Sequence, residues 1–262
     1  MKTHAKAVVI GGGVVGCSVL YHLTKLGWSD VMLIERSELT SGSTWHAAGG
    51  FHTLNSDTNM AALQGYTIRL YKELEEITGL SCGLHHVGGV TIATDKDRMD
   101  MLKAERAKHR YMGLETEIIS ASEIAEISPI TNVTGVVGGL YDPLDGHLDP
   151  SGTTQAYAKA ARQGGAQISL RNRVVELVRK LDDSWDVVTE QGTINCQFLV
   201  NAAGLWAREV GAMAGVYLPL HPMEHQYLVT EDIPEVVALE REFPVLRDPA
   251  SYYVRQEGKG LL

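Results

Sequence analysis

The chain has 262 residues, of which 44% are hydrophobic and 21% are charged, a composition typical of a globular protein with one large domain or two smaller ones. A formal net charge of −9 argues against a nucleic-acid partner, since proteins that bind nucleic acids carry basic surfaces. No hydrophobic run approaches the roughly 20 residues that a membrane-spanning helix needs.

Cysteine usage and the N-terminus indicate the compartment. The 3 cysteines are widely spaced and form no CxxC pair, which favours reduced thiols in a reducing compartment. The first predicted strand starts close to Met1 and leaves no room for a signal or transit peptide. We therefore expect a cytoplasmic protein, or one of the mitochondrial matrix if a eukaryotic transit peptide has been removed.

The first elements in chain order are a strand, a helix and a second strand. Residues 7–10 and 31–34 are short apolar runs, as in strands that are buried on both faces. Residues 14–26 between them have the pattern of a helix that Gly27 ends. This order predicts the start of a parallel sheet.

Three glycines with the spacing Gly-x-Gly-x-x-Gly connect the first strand to the helix. Gly11 permits a tight turn, Gly13 lets the backbone approach a pyrophosphate, and Gly16 lets helix and strand pack closely. Glu35 follows the second strand, where a carboxylate can bind ribose hydroxyls. The pattern predicts a dinucleotide site, and the carboxylate disfavours the 2′-phosphate of NADP, which leaves FAD or NAD.

A loop of small and polar residues follows at 42–50. It places His46 between Trp45 and a run of small residues, an arrangement suited to a flat ligand with an imidazole within reach. A second segment of small residues, 201–204, joins a predicted strand to a helix and indicates either plain strand–helix packing or another backbone approach to the cofactor. Two such segments fit FAD better than NAD, and an NAD-dependent dehydrogenase is the alternative.

The remaining elements alternate between helices and strands, which predicts an α/β fold. Further helices are predicted at 56–79 with Ser56 or Asp57 as its cap, at 95–112, after a capping box at 120–123, and at 151–163 and 205–214. Further strands are predicted at 87–94, 174–178, 185–189, 194–201, 226–230 and 252–256.

These elements predict a Rossmann-like FAD-binding domain and a second domain, built on a mixed sheet, for the substrate. The FAD-binding domain is assigned residues 1–80 and 141–215, and the substrate domain residues 81–140 and 216–262. A hairpin that begins near Glu257 reaches Leu262 before its second strand is complete, so we expect the natural chain to continue further.

Other histidines and carboxylates give no metal-site pattern along the sequence. The acidic residues of 142–150 stand beside two prolines and are interpreted as a turn. We predict no metal centre and interpret four histidines without ligand-type spacing as loop or surface residues, namely His52, His85, His86 and His221.

The motifs together resemble the D-amino-acid-oxidase-like flavoproteins, and within them the dimethylglycine and sarcosine dehydrogenases. The most specific part is Gly-Ser-Thr-Trp-His at 42–46. The glycines of 11–16, the Glu-Arg pair at 35–36 and Asn-Ala-Ala-Gly-x-Trp at 201–206 agree with it. Further matching stretches lie at 145–150, 225–227, 244–248 and 251–253.

The resemblance implies that the ring of His46 is bonded to the 8α-methyl carbon of FAD. It also implies active-site roles for His225 and Tyr252, which would position the substrate and bias its amine toward the neutral form. The alternatives are that His46 only packs in its loop and that Tyr252 alternates with Tyr253 across a strand. The expected cofactor-binding residues are Gly11, Gly13, Val14, Val15, Gly16, Glu35, Arg36, Gly42, Ser43, Thr44, Trp45, His46, Ala47, Ala48, Gly49, Gly50, Val174 and Trp206.

The reaction that the resemblance implies is oxidative N-demethylation of a small N-methyl glycine, with dimethylglycine favoured over sarcosine. A hydride passes from an N-methyl carbon to flavin N5, and the iminium so formed hydrolyses to formaldehyde or is trapped by tetrahydrofolate. The electron acceptor would be an electron-transfer flavoprotein, a quinone or oxygen.

Two later parts of the long family members are not in this sequence: the strand that completes the flavin ring site and the folate-binding region. Tetrahydrofolate is therefore expected only if a further C-terminal domain exists. The alternative from a different class is a non-catalytic or inactive flavin-binding fragment or subunit.

Overall fold

The computed structural model describes residues 2–53, 55, 57–248 and 252–262. Ser56, a candidate helix cap, and Ser251, part of one matching stretch, lie outside the described residues. The helices are α1 (Val14–Lys25), α2 (Thr58–Thr78), α3 (Lys96–Tyr111), α4 (Ala121–Ile127), α5 (Pro150–Gln163), α6 (Ala207–Met213) and α7 (Pro234–Val237), with 3-10 turns at Ser43–His46 and Gly204–Trp206. The strands are β1 (His4–Ile10), β2 (Val31–Ile34), β3 (Gly50–Phe51), β4 (Gly89–Ala93), β5 (Glu117–Ile119), β6 (Gly138–Asp142), β7 (Gly146–His147), β8 (Gln167–Ser169), β9 (Val174–Arg179), β10 (Trp185–Thr189), β11 (Gly192–Asn201), β12 (Val245–Asp248), β13 (Tyr252–Val254), β14 (Gln256–Glu257) and β15 (Gly260–Leu261).

The described chain folds into two compact units, each made of three segments. The first unit takes in the segment that ends at Ala47, Glu73–Cys82 and Asp149–Glu224. The second takes in Ala48–Lys72, Gly83–Leu148 and His225–Leu262. An α/β fold with a dinucleotide-type first unit and a mixed-sheet second unit is therefore confirmed.

The predicted domain boundaries need correction in several segments. Residues 48–72 and 141–148 were assigned to the FAD-binding domain but fold with the second unit, because β3 pairs with β7 and Phe51, Ile68 and Leu148 share one small core. Residues 81–82 and 216–224 belong to the first unit instead. Nothing in the sequence indicated that these segments belong to the other unit, because a two-residue strand such as β3 is too short to show a periodic pattern.

The first unit contains a six-stranded sheet in the order β8-β2-β1-β11-β10-β9. The strands β8, β2, β1 and β11 run parallel, and β10 and β9 continue the sheet as an antiparallel meander. Val8 pairs with Met32 on one side and Leu199 on the other, which places β1 in the parallel centre. Every residue of β2 is buried, as its unbroken apolar run predicted.

Two helices of the first unit have sequence-encoded ends. α1 begins at Val14 and ends before Gly27, whose φ of 87° is in the left-handed region that suits glycine. α5 begins at Pro150, and the carboxylate of Asp149 caps it by accepting from the Ser151 N–H group. Both predicted helices are therefore confirmed. They pack against each other.

The second unit contains a five-stranded mixed sheet in the order β13-β12-β4-β6-β5. β12 is parallel to β4, whereas the other neighbours are antiparallel. Its core includes Val90, Ile92, Ile124, Phe243 and Leu246. Ser120 and Glu123 form the predicted capping box at α4, and Asp57 caps α2 by accepting from Met60 N–H.

One predicted strand is wrong. Residues 226–230 show no strand in the structure, and Thr230 alone among them donates a backbone bond, to the carbonyl of Leu261. The alternation of apolar residues there indicated a strand, yet residues 226–229 lie exposed without a ladder partner among the described residues. A β-type sequence forms a strand only where a neighbour completes it.

The 3 cysteines are buried inside the protein. Cys17, Cys82 and Cys196 are all buried, and burial raises the pKa of the Cys17 thiol to about 12 and those of the other two to about 11. Because the thiolate is the reactive form, we expect an Ellman-type reagent at pH 8 to label no cysteine in the native protein. It should label all 3 in denaturant, and fast labelling of any native thiol would contradict this burial.

Among the described residues we find no helix with the length and apolar character that crossing a bilayer demands.

Candidate functional site

A cavity of about 600 Å³ lies in the first unit at the carboxyl ends of its central parallel strands. Ile10 at the end of β1, Ile34 at the end of β2 and Asn201 at the end of β11 all line it. Open parallel sheets bind ligands at this edge, where the strand order changes direction. The volume lies within the range of roughly 300–1,000 Å³ that cofactor sites occupy.

Gly11 and Gly13 lie on the floor of this cavity, and Gly16 packs against Gly11 behind it. A Cβ at Gly11 would lie 2.3 Å from the carbonyl oxygen of Ala202, and the φ of Gly11 is 116°. A Cβ at Gly16 would lie 1.9 Å from the carbonyl oxygen of Gly11. Both distances are far shorter than non-bonded atoms allow, so only glycine lets the backbone pack this closely and leave space above for a ligand.

The N-terminus of α1 opens into the cavity through Val14 and Val15. The Val14 N–H group donates to Thr44 Oγ1 at 3.0 Å, which ties the loop at 43–46 to the helix start. No acidic residue lies in the first turn of α1, so nothing there opposes a phosphate at the positive end of the helix dipole.

Glu35 lines the cavity and holds the glycine loop in place. Its Oε2 accepts from Gly12 N–H at 2.6 Å and its Oε1 accepts from Ser37 N–H at 2.8 Å. A carboxylate has about four acceptor positions, so two remain for ribose hydroxyls. The same negative charge would repel a phosphate on the ribose.

Arg36 and Trp206 meet at the side of the cavity. The guanidinium carbon of Arg36 lies 3.6 Å from the centroid of the Trp206 ring, which is a cation–π contact. The contact joins the end of β2 to the segment after β11, two places that the sequence analysis assigned separately to the cofactor.

The residues of the loop at 42–50 do not all line the cavity: some line it, some are exposed, and some fold with the second unit. Gly42, Ser43, Thr44 and Ala47 line the cavity. The rings of Trp45 and His46 are exposed and contact each other, with centroids 3.8 Å apart, and they are not among the cavity-lining residues. Residues 48–50, which were predicted to bind the cofactor, fold with the second unit.

Some cavity residues were missed by the sequence analysis. Asn172 and Arg173 precede the predicted Val174, and Glu209 and Met213 lie on α6. Asn172 is placed by its N–H bond to the carbonyl of Glu35, which follows from the pairing of β8 with β2. β8 has three residues and gives no periodic signal, so only the fold could reveal this contact.

The two predicted catalytic residues lie in the second unit. His225 is exposed and outside regular structure, and Tyr252 begins β13 with 57% of its surface exposed. Tyr253 is also exposed, so the alternative interpretation, in which one of the two tyrosines lies in the core, is wrong. The Asp248 carboxylate beside Tyr252 raises the pKa of its phenol. Tyr252 lines a second cavity, of about 660 Å³, with His52 and Arg247.

The acidic segment at 142–150 contains a turn, as predicted, but it also includes the strand β7, and each carboxylate has its own partner. Asp142 accepts from the Thr53 hydroxyl and from Leu144 N–H, Asp145 pairs with Arg247, and Asp149 caps α5. Burial raises the pKa of Asp145 to about 7, although the Arg247 guanidinium opposes this shift.

His85 is exposed and lies outside the named strands, as expected for a loop or surface residue, but it has neighbours that the sequence did not indicate. It forms an isolated antiparallel bridge with His147, and both side chains lie close to Glu242. The spacing of 157 residues between His85 and Glu242 explains why no sequence pattern indicated the cluster.

Comparison with known proteins identifies the family. The chain matches the family model "FAD dependent oxidoreductase" over residues 6–262. The chain belongs to this family. It is 47% identical over 262 residues to the mitochondrial dimethylglycine dehydrogenase of Rattus norvegicus and 41% identical over 269 residues to the mitochondrial sarcosine dehydrogenase of Homo sapiens. These alignments cover 100% of this chain but only 31% and 29% of those relatives, so the chain spans less than a third of their length.

A solved structure supports the same family. The structure of the FAD dependent oxidoreductase chain is similar to the crystal structure of L-proline dehydrogenase from P. horikoshii, with a TM-score of 0.89 and 26% sequence identity. The match covers 100% of this chain and 69% of that one. The glycine floor, the helix start and Glu35 fit the FAD that the family name specifies, because they leave room for its pyrophosphate and present an acceptor for its ribose.

Proposed function

We propose that this chain is the FAD-binding part of an amine oxidoreductase that removes a methyl group from a small N-methyl glycine. Dimethylglycine is the favoured substrate and sarcosine the next. The observation that carries the proposal is the close packing of Gly11 and Gly16 beneath the cavity, where a Cβ would collide with backbone, in a chain 47% identical to a dimethylglycine dehydrogenase.

Each part of the first-unit cavity has a distinct role in holding FAD. The N-terminus of α1 would hold the pyrophosphate, Glu35 would bind the ribose, and the Arg36–Trp206 pair would flank the nucleotide. When bound, the flavin supplies the hydride acceptor for the substrate's N-methyl carbon. The role of the protein is to orient the flavin and the substrate and to exclude competing reactions.

His46 is proposed to hold the flavin covalently. Its ring is exposed and contacts Trp45, so it is not committed to a core and can reach a ligand. The turn that carries it is fixed to the start of α1 through Thr44. A covalent bond from an imidazole would prevent loss of the cofactor and make the flavin a stronger oxidant.

His225 and Tyr252 are proposed to position the substrate and to favour its neutral amine. The support for Tyr252 is its place on the second-unit cavity, which also presents the cationic groups Arg98 and Arg247 to a substrate carboxylate. The proposed products are formaldehyde, or methylene-tetrahydrofolate if a folate domain follows, and electrons pass to an electron-transfer flavoprotein, a quinone or oxygen. Because the named relatives are mitochondrial, the matrix is the proposed location for a eukaryotic chain, and the cytoplasm otherwise.

The test is anaerobic mixing of the full-length flavoprotein with dimethylglycine, sarcosine and glycine in separate reactions. We expect the two N-methyl compounds to bleach the flavin absorbance near 450 nm (roughly the usual flavin band) and glycine, which lacks the methyl group, to leave it unchanged. Formaldehyde should appear in the same anaerobic mixture, because water alone hydrolyses the iminium that hydride transfer leaves. Equal bleaching by glycine, or none by any N-methyl amine, would overturn the substrate class, and a colourless protein that binds NAD would favour the NAD-dependent alternative.

A further inference from the structure

Two histidines of the second unit stand directly opposite each other on a short antiparallel ladder. His85 N–H donates to the His147 carbonyl at 2.8 Å, and His147 N–H donates to the His85 carbonyl at 3.1 Å. Their imidazole rings are parallel, with an interplanar angle of 9° and centroids 4.6 Å apart. The ladder therefore fixes the two rings on the same side of the backbone, as cross-strand neighbours always are.

A carboxylate completes the cluster. Glu242 Oε2 lies 2.7 Å from His85 Nδ1 and 3.9 Å from His147 Nε2. One ligand atom from each residue lies within 4.8 Å of the other two. The three residues come from separate segments, so the fold alone brings them together.

An ordinary ion pair explains only part of this arrangement. The His85–Glu242 contact is a normal hydrogen bond, but His147 Nε2 is buried and has no hydrogen-bond partner among the described residues. His147 is only 6% exposed. A buried polar atom left unpaired is unfavourable, which indicates that a group not present in the chain satisfies it.

We propose that His85, His147 and Glu242 bind a divalent transition-metal ion of the zinc type. Two imidazole nitrogens and one carboxylate oxygen suit zinc and its neighbours in the first row, whereas calcium and magnesium prefer oxygen ligands alone. Three protein ligands leave a fourth position for water. This inference does not depend on the proposed amine oxidation.

The two separations that involve Glu242 allow such an ion with small movements. Ligand atoms around tetrahedral zinc stand roughly 3.3 Å apart, given metal–ligand bonds of about 2.0–2.1 Å. The His85–Glu242 separation of 2.7 Å would widen and the His147–Glu242 separation of 3.9 Å would shorten, each by less than about 1 Å. The exposed side chain of His85 can make that adjustment more easily than buried His147.

The surrounding charges also permit a cation. The nearby Arg255 guanidinium is already engaged by the carboxylate of Glu257 at 2.6 Å and by the carbonyl of Ala48 at 2.8 Å. The carboxylate of Glu242 places a negative charge beside both imidazoles, which favours a cation at this position.

The test is titration of the chelator-treated protein with zinc chloride in a calorimeter, with cobalt(II) absorption as a second readout of the ligand geometry. We expect one zinc ion per chain, and a zinc-dependent rise in Tm. Glu242→Gln and His147→Gln should each weaken zinc binding by at least about tenfold, as the loss of support around a metal does. His86→Gln and Glu240→Gln are matched neighbours outside the cluster and should bind zinc like the parent protein.

Two results would overturn the site: no stoichiometric zinc binding by the parent, or equal affinity in Glu242→Gln and the two controls. If His147→Gln does not fold, Glu242→Gln still decides the matter, because the Glu242 side chain is partly exposed and its removal leaves the ladder intact.

Discussion

Replacement of His46 by alanine is expected to abolish covalent attachment of the flavin and leave dissociable FAD in the protein. The cavity floor, Glu35 and the start of α1 do not involve the His46 ring, which is exposed and contacts Trp45. The variant should therefore fold and bind FAD without a covalent bond. The measurement is in-gel flavin fluorescence after denaturing electrophoresis, in which only covalently bound flavin stays with the protein band.

His86→Ala is the matched control for that experiment. It removes another exposed histidine, from a segment of the second unit, and its protein band should remain fluorescent. A fluorescent band from His46→Ala, equal to that of the control, would mean that another residue holds the flavin or that its binding has a different basis.

The second large effect is expected from Gly16→Ala. The new methyl group would lie 1.9 Å from the carbonyl oxygen of Gly11, which cannot retreat because Gly11 is itself packed against the Ala202 carbonyl. Relief requires separation of α1 from β1 at the core of the first unit. A cost of about 3 kcal/mol is expected, a large share of the roughly 5–15 kcal/mol that stabilises a typical domain. Denaturant midpoints and the flavin content after purification should both fall.

Gly65→Ala provides the control for that substitution. Gly65 lies within α2, and a Cβ there would find only the flexible end of Arg69, at 3.5 Å. Alanine in a helix interior is favoured over glycine by about 0.5–1 kcal/mol, so the midpoint should stay or rise slightly. A Gly16→Ala protein with the parent's midpoint and flavin content would contradict the packing described for the glycine floor.

Local patterns were enough to predict the elements that form the cavity floor. The glycine spacing, the buried strands on either side of α1 and the capping box at Ser120 each depend on residues a few positions apart. Such signals report backbone conformation directly, because glycine, proline and capping residues act on their own neighbourhood. The part of the cavity formed by β1, α1 and β2 could therefore be predicted from residues 7–36.

Features that depend on long-range pairing could not be predicted in the same way. The two-residue strand β3 takes residues 48–50 into the second unit only because β7 is there to pair with it. Asn172 reaches the cavity through the short strand β8, and His85 meets Glu242 across 157 residues. The prediction of a strand at 226–230 was wrong because that segment has the composition of a strand but no neighbouring strand among the described residues to pair with.

The most direct test of the central proposal is peptide mapping of the parent flavoprotein after acid precipitation. Covalent FAD at His46 predicts that the precipitate stays yellow and that proteolysis yields one flavin-bearing peptide, which contains Trp45 and His46. Flavin released completely into the acid supernatant, or attached to a peptide without His46, would contradict the proposal.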